Sequence, residues 1–220
     1  MLSQLDHITF PDRCEVYETM PSQRYVYAIF KNGSSGLVEG STQKQWRVFL
    51  NEQIKRLDSI DIILREPKAR TISGINIYLQ QLIQQNPSLD RATAIWFIKN
   101  YLFLNRHYCP QFFWLINLAR YLKADTLLNF YDMAELSIIV GKDTKPFMYK
   151  EVTKEFAQEI GEIPNIEMYH RVDQAIIDQC QGKTLNFAQM IQYIRNADPA
   201  AFEYVLGRAT KILGSVNALS

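Results

Sequence analysis

Three short apolar runs, each followed by a long stretch of helical character, restrict this chain to one class of fold. Residues 25–30 (Tyr-Val-Tyr-Ala-Ile-Phe), 60–64 (Ile-Asp-Ile-Ile-Leu) and 126–131 (Thr-Leu-Leu-Asn-Phe-Tyr) are short, rich in β-branched and aromatic side chains, and bounded by turn or polar residues. That combination marks buried strands. Roughly ten or more residues of helical pattern lie between successive runs, as a parallel crossover requires. The expected fold class is α/β, a small parallel sheet flanked by helices with an α-rich C-terminal part.

The intervening residues refine this expectation. Residues 1–24 carry Pro11 and Pro21 and read as an irregular lead-in. After a Gly/Ser loop at 31–36, residues 37–57 read as an imperfect amphipathic helix. Pro67 stands where a first helical turn begins, so a helix is expected from about 68 to 85, ending before Asn86-Pro87. Ser88 or Asp90 caps a further helix to about 104, and residues 112–122 form another after Pro110. Beyond 150 everything reads as helix, over 151–160, 166–181, 185–195 and 199–213, the last opened by Asp198-Pro199. The expected division is an α/β core over 1–149 and a helical extension over 150–220, packed on the same domain.

Composition narrows the function classes. With 47% hydrophobic residues among 220, a sizeable core can form. Lys+Arg is 24 and Asp+Glu 23, a net charge of +1, which gives no footprint for nucleic acid or an anionic membrane as partner. Any anion site must be local. Cys14, Cys109 and Cys180 form no CxxC pair and no Cys/His cluster at metal-ligand spacing, and suit a reducing compartment as small buried apolar residues. Residues 1–11 lack the basic and apolar pattern of a signal peptide, and the apolar stretches 95–104 and 111–122 are too short to span a bilayer. A soluble, cytoplasmic protein is expected.

Two segments carry candidate chemistry. In Phe30-Lys-Asn-Gly-Ser-Ser-Gly-Leu37 a strand ends, a turn follows and a helix is expected to start. Free backbone N–H groups at such a start bind anions, with Lys31 adding charge and Ser34 and Ser35 adding donors. Lys precedes Gly here, so the order is not that of an ATP-binding Walker A loop. The second segment is Leu64-Arg-Glu-Pro-Lys-Ala-Arg-Thr-Ile-Ser73. Arg65 stands at the carboxyl end of a strand, where ligands bind in open α/β sheets, and Ser73 follows eight residues later. A planar guanidinium and a hydroxyl can converge on one phosphate.

Together these pieces resemble the sulfotransferases that use 3′-phosphoadenosine 5′-phosphosulfate (PAPS). Lys31-Asn-Gly-Ser-Ser looks like their 5′-phosphosulfate loop, and residues 64–73 resemble their LRDPxxRxxS 3′-phosphate motif with the Arg-to-Ser spacing intact. His107-Tyr-Cys-Pro-Gln111 is similar to an H-x-x-P-Q element of carbohydrate-type members. The resemblance covers about residues 25–140.

It implies a P-loop-like fold and transfer of a sulfuryl group from PAPS to a hydroxyl of a carbohydrate or other small acceptor, leaving PAP (the desulfated nucleotide). Lys31, Asn32, Gly33, Ser34, Ser35 and Gly36 would form the phosphosulfate loop, with Lys31 also catalytic. Arg65 and Ser73 would hold the 3′-phosphate. Arg70 matches the second Arg, as a ligand contact or as a helix-surface partner of Glu66. Family members often carry their base on a strand between the two motifs. Here residues 37–64 read mostly as one helix without a His, which leaves Glu39 and His107 as candidate bases, each with a plain structural alternative. Glu52 reads as a solvated face, and His7 and His170 have no supporting context. Lys142, Lys145 and Lys150 offer a basic closing loop or solvated charges. Trp96 and Trp114 are expected in the core, and Trp46 in the core or on adenine. The alternative function is a catalytically inactive PAPS- or PAP-binding relative serving as an interaction module. A phosphotransferase on the same scaffold is disfavoured by the loop order.

Overall fold

The strand formed by residues 59–64 organises the molecule, and its composition explains why. Ser-Ile-Asp-Ile-Ile-Leu is nearly continuous in apolar side chains, and five of its six residues are buried. Such a strand must be covered on both faces and paired on both edges. The computed structural model describes residues 14–19, 23–27, 29, 47–101, 107–135, 139, 161 and 163–213. Among these, the strands are β1 (Glu15–Thr19), β2 (Arg24–Tyr27), β3 (Arg47–Leu50), β4 (Ser59–Leu64), β5 (Leu127–Asp132) and β6 (Thr184–Asn186). They form one sheet in the order β3-β1-β2-β4-β5-β6. The helices are α1 (Pro67–Gln85), α2 (Arg91–Tyr101), α3 (Gln111–Ala119), α4 (Ile166–Cys180), α5 (Phe187–Ala197) and α6 (Pro199–Leu213).

The α/β class holds, but the sheet is mixed rather than parallel. The parallel part is the central trio: β2 pairs β4 with Val26 opposite Asp61, and β4 pairs β5 from Ser59–Leu127 to Leu64–Asp132. These are the three runs that the sequence marks. The outer strands are antiparallel and correct three expectations. The lead-in contains β1, which pairs β2 with Val16 opposite Tyr27. Residues 47–50 are a strand on β1, followed by a 3-10 turn Asn51–Arg56, and not the end of a long helix. The C-terminal part contributes β6 to the far edge, with Leu128 opposite Leu185, so it is not all helix.

One face of the sheet carries the main core. Ile60, Ile62 and Leu64 of β4 and Leu128 and Phe130 of β5 pack with residues of α3, α4, α5 and α6. Residues from both sides of position 150 therefore share one core. α3 lies in the middle and is buried on every side, as expected of a helix that is apolar all round. The opposite face holds a smaller cluster of Val26, Ile63 and Ile139. A third cluster joins Ile75, Tyr78 and Leu79 of α1 to Ile98 of α2 and to Tyr108.

Helix ends follow local chemistry. Asp90, not Ser88, caps α2 by accepting the Thr93 N–H at 2.9 Å. Asp198 accepts the Ala201 N–H at 3.1 Å and pairs through both oxygens with Arg171. Gly182, at φ +73, makes the tight turn from α4 into β6. Trp114 lies in the core as expected, whereas Trp96 is 54% exposed on α2, contrary to expectation. No described helix is long and apolar enough to cross a membrane.

Candidate functional site

β4 ends at Leu64, and the next ten residues hold most of the candidate site. Arg65 continues the extended chain and is half-buried. Glu66 turns it: its carboxylate accepts the N–H groups of Lys68 (2.9 Å) and Ala69 (2.5 Å), capping α1. Pro67 opens the helix, where its missing N–H costs nothing. The first free donors of α1 are thus taken by the chain's own Glu66.

Arg70 is fully buried, which corrects its reading as a helix-surface partner of Glu66. Its guanidinium donates to the Cys109 carbonyl and lies in the field of Asp173. Burial pulls its pKa below the ordinary arginine value, with Cys109 and Asp173 opposing. Arg65 is shifted down as well, first by burial and then by the charge of Arg70. Two guanidinium groups thus lie near this strand end, with the Glu66 and Asp173 carboxylates opposing their downward shifts.

Ser73 is buried one turn further along α1, next to Gly74. Gly74 is required by close approach: a Cβ there would lie 2.7 Å from the His107 carbonyl carbon and 2.8 Å from the Tyr108 Cβ. Segment 107–111 therefore lies directly on the helix that carries Ser73. His107 is 9% exposed and sits within this packed turn. Cys109 is buried, and burial pushes its thiol up to about 12, as it does for Cys14 and Cys180.

The far end of the turn is Gln111, the first residue of α3. Its side-chain Nε2 donates to the Arg65 carbonyl at 2.9 Å, and its Oε1 accepts the Arg65 N–H at 3.0 Å. Asp173 of α4 accepts the backbone N–H groups of Gln111 (2.7 Å) and Phe112 (2.9 Å), so it caps the buried start of α3. Burial raises the Asp173 carboxyl to about 6, against the opposing pull of Arg70 and of these N–H groups. Also on α1, Thr71 donates to the Pro67 carbonyl and its oxygen lies 3.1 Å from His170 Nε2 of α4. Burial lowers the pKa of His170.

The structure thus joins Arg65, through Gln111, and the helix that carries Ser73, through Gly74, to the H-x-x-P-Q turn. Lys31, Asn32, Gly33, Ser34, Ser35, Gly36, Glu39, Trp46, Lys142, Lys145 and Lys150 lie outside the described residues. Glu52 is exposed and pairs with Lys55 at 2.5 Å. Sequence reasoning named Gln111 within the H-x-x-P-Q element but not its contact with Arg65, and it missed Asp173. One signal was available for Asp173: it stands in the apolar stripe of α4 with Tyr169, Val172 and Ile176, where a carboxylate needs a buried partner. No family model, curated protein or solved structure matches the chain.

Proposed function

We propose that this chain is a sulfotransferase that moves the sulfuryl group of PAPS to a hydroxyl of a carbohydrate or other small acceptor, releasing PAP. The observation that carries the reading is the pairing of β2 and β4 as parallel neighbours, Val26 opposite Asp61 and Tyr27 opposite Ile62. Adjacent parallel strands present their carboxyl ends side by side, about 5 Å apart. β2 ends at Tyr27, four positions before Lys31 in sequence, and β4 ends at Leu64, directly before Arg65, so in sequence each of the two motifs assigned to the ends of PAPS follows the carboxyl end of one of these neighbouring parallel strands. Ligands of open α/β sheets bind outside such ends.

In this reading Arg65 and Ser73 hold the 3′-phosphate, and residues 31–36 hold the 5′-phosphosulfate. The acceptor oxygen attacks sulfur as the bond from sulfur to the bridging phosphate oxygen breaks. PAP leaves with that electron pair, its new charge met by Lys31, and the acceptor proton passes to a base. Glu39 and His107 are the residues proposed for the base. The burial of His107 in the turn on α1 weighs against it. That same burial favours, as a second reading, a relative that binds PAPS or PAP without turnover.

The test is ligand-dependent stability. At a free PAP concentration about 100-fold over its dissociation constant, stability should rise by about 2.7 kcal/mol, or roughly 5–10 °C in melting midpoint. AMP, which lacks the 3′-phosphate, should give a much smaller rise. No shift with PAP, or an equal shift with ATP, counts against the reading.

A further inference from the structure

Two buried side chains that the proposed chemistry does not use are joined to Arg65 in series. The Gln111 amide meets both the N–H and the carbonyl of Arg65, at 3.0 and 2.9 Å. This is the contact that a neighbouring strand residue would make. It comes one residue beyond the last β4–β5 pair, Leu64 with Asp132. Gln111 therefore extends the ladder by one position and holds Arg65 in strand geometry where the sheet has ended. A two-point amide pair fixes the rotation of a residue as well as its place.

Gln111 is itself held. Asp173 takes its backbone N–H and that of Phe112, one on each carboxylate oxygen. The turn leading to Gln111 is pinned twice more, by Arg70 on the Cys109 carbonyl and by the backbone of His107 against Gly74. Arg70 and Ser73 ride on α1, which begins two residues after Arg65. The brace thus refers Arg65 and Ser73 to the same turn. An arginine can match the two oxygens of a phosphate only if its approach direction is set in advance.

We infer that Gln111, oriented by Asp173, is a positioning residue that sets the direction of Arg65 toward an anion at the carboxyl end of β4. The identity of that anion as the 3′-phosphate of PAP rests on the function proposed above, whereas the positioning does not. Gln111→Met keeps the size and removes both amide contacts. Asp173→Asn keeps the shape and serves if the first variant does not fold.

Titrating each with PAP and with AMP, Gln111→Met should bind PAP about tenfold more weakly, with AMP affinity changed by less than about twofold. Added to Arg65→Ala, it should weaken PAP binding no further, because a residue that acts only through Arg65 has nothing left to position. A merely structural residue would weaken PAP and AMP together and add its loss to that of Arg65→Ala, and either result overturns the inference. If the wild type binds no PAP, the proposed function fails, and the positioning is judged without ligand by amide hydrogen exchange. Exchange at Arg65 that is faster in Gln111→Met by about tenfold, with the core amides unchanged, supports it. Unchanged exchange at Arg65 overturns it.

Discussion

Two aspartates, Asp61 and Asp173, are each 3% exposed, and they serve different ends. Asp61 lies in mid-sheet. It accepts from Arg24 Nε at 2.6 Å and from Asn129 Nδ2 at 2.9 Å, and Asn129 in turn accepts from Thr184 at 2.8 Å. Asp61, Asn129 and Thr184 stand opposite one another on β4, β5 and β6, while Arg24 projects from β2 and also covers the Tyr131 ring. The result is a polar row that crosses four strands and fixes their register. Asp173 instead reaches backbone N–H groups of another element, and its nearby cation, Arg70, gives its hydrogen bond to Cys109. One carboxylate ties strand to strand, and the other holds the start of α3, whose Gln111 side chain meets the residue after β4. A buried acid near a site is informative when its partners lead toward a strand end, not when they run across a sheet.

The comparison breaks most sharply at Gly74. Gly74→Val would force a branched side chain into the His107 backbone, and should cost about 3 kcal/mol or more, because backbone cannot yield as a side chain does. Denaturant unfolding measures this. The folded fraction should also lose affinity for PAP, since Ser73 and the turn are displaced together. Asp61→Ala is the counterpart. It leaves Arg24 and Asn129 without their acceptor and should cost about 2–3 kcal/mol in unfolding free energy. PAP affinity should stay within about twofold, since the row lies away from the strand ends. A large loss of PAP binding in Asp61→Ala would erase the distinction between the two acids.

A smaller effect concerns pH. The folded Asp173 carboxyl lies near 6, above the ordinary carboxylate value, so the folded chain holds its proton more tightly than the unfolded chain. Its stabilising contribution is complete below about pH 4 and is lost as pH rises through about 6. The groups facing it are Arg70, the backbone N–H groups of Gln111 and Phe112, the Gln111 side chain and the Cys109 thiol. Relative to Asp173→Asn, wild-type stability should therefore fall between pH 4 and pH 7, by an amount on the order of 2 kcal/mol. A difference that stays flat or rises across that range would show that Arg70 outweighs burial.

The part of the fold that was legible in sequence is the part stabilised by apolar runs. β2, β4 and β5 each carry several adjacent β-branched or aromatic side chains, and the sheet's parallel centre follows from them. β1, β3 and β6 are three to five residues long and exist because a neighbour pairs with them. Glu-Val-Tyr-Glu-Thr and Thr-Leu-Asn contain too few apolar residues to announce a strand alone. The same division holds at the site. The Arg65-to-Ser73 spacing is local and readable. The brace is not: Gln111 is 46 positions from Arg65, and Asp173 is 62 from Gln111. Arg70 shows the cost of reading locally. Its helix position suggested a surface pair with Glu66, but it is buried and its partners, Cys109 and Asp173, are distant in sequence.

The central claim is that Arg65, held at the carboxyl end of β4, reads the 3′-phosphate of the donor nucleotide. Calorimetric titration of PAP and AMP into wild type and Arg65→Ala tests it most directly. Loss of a charge-assisted, partly desolvated contact should weaken PAP binding by about 2–4 kcal/mol in Arg65→Ala and leave AMP binding nearly unchanged. Equal binding of PAP and AMP to the wild type, or an equal loss of both in Arg65→Ala, would contradict it.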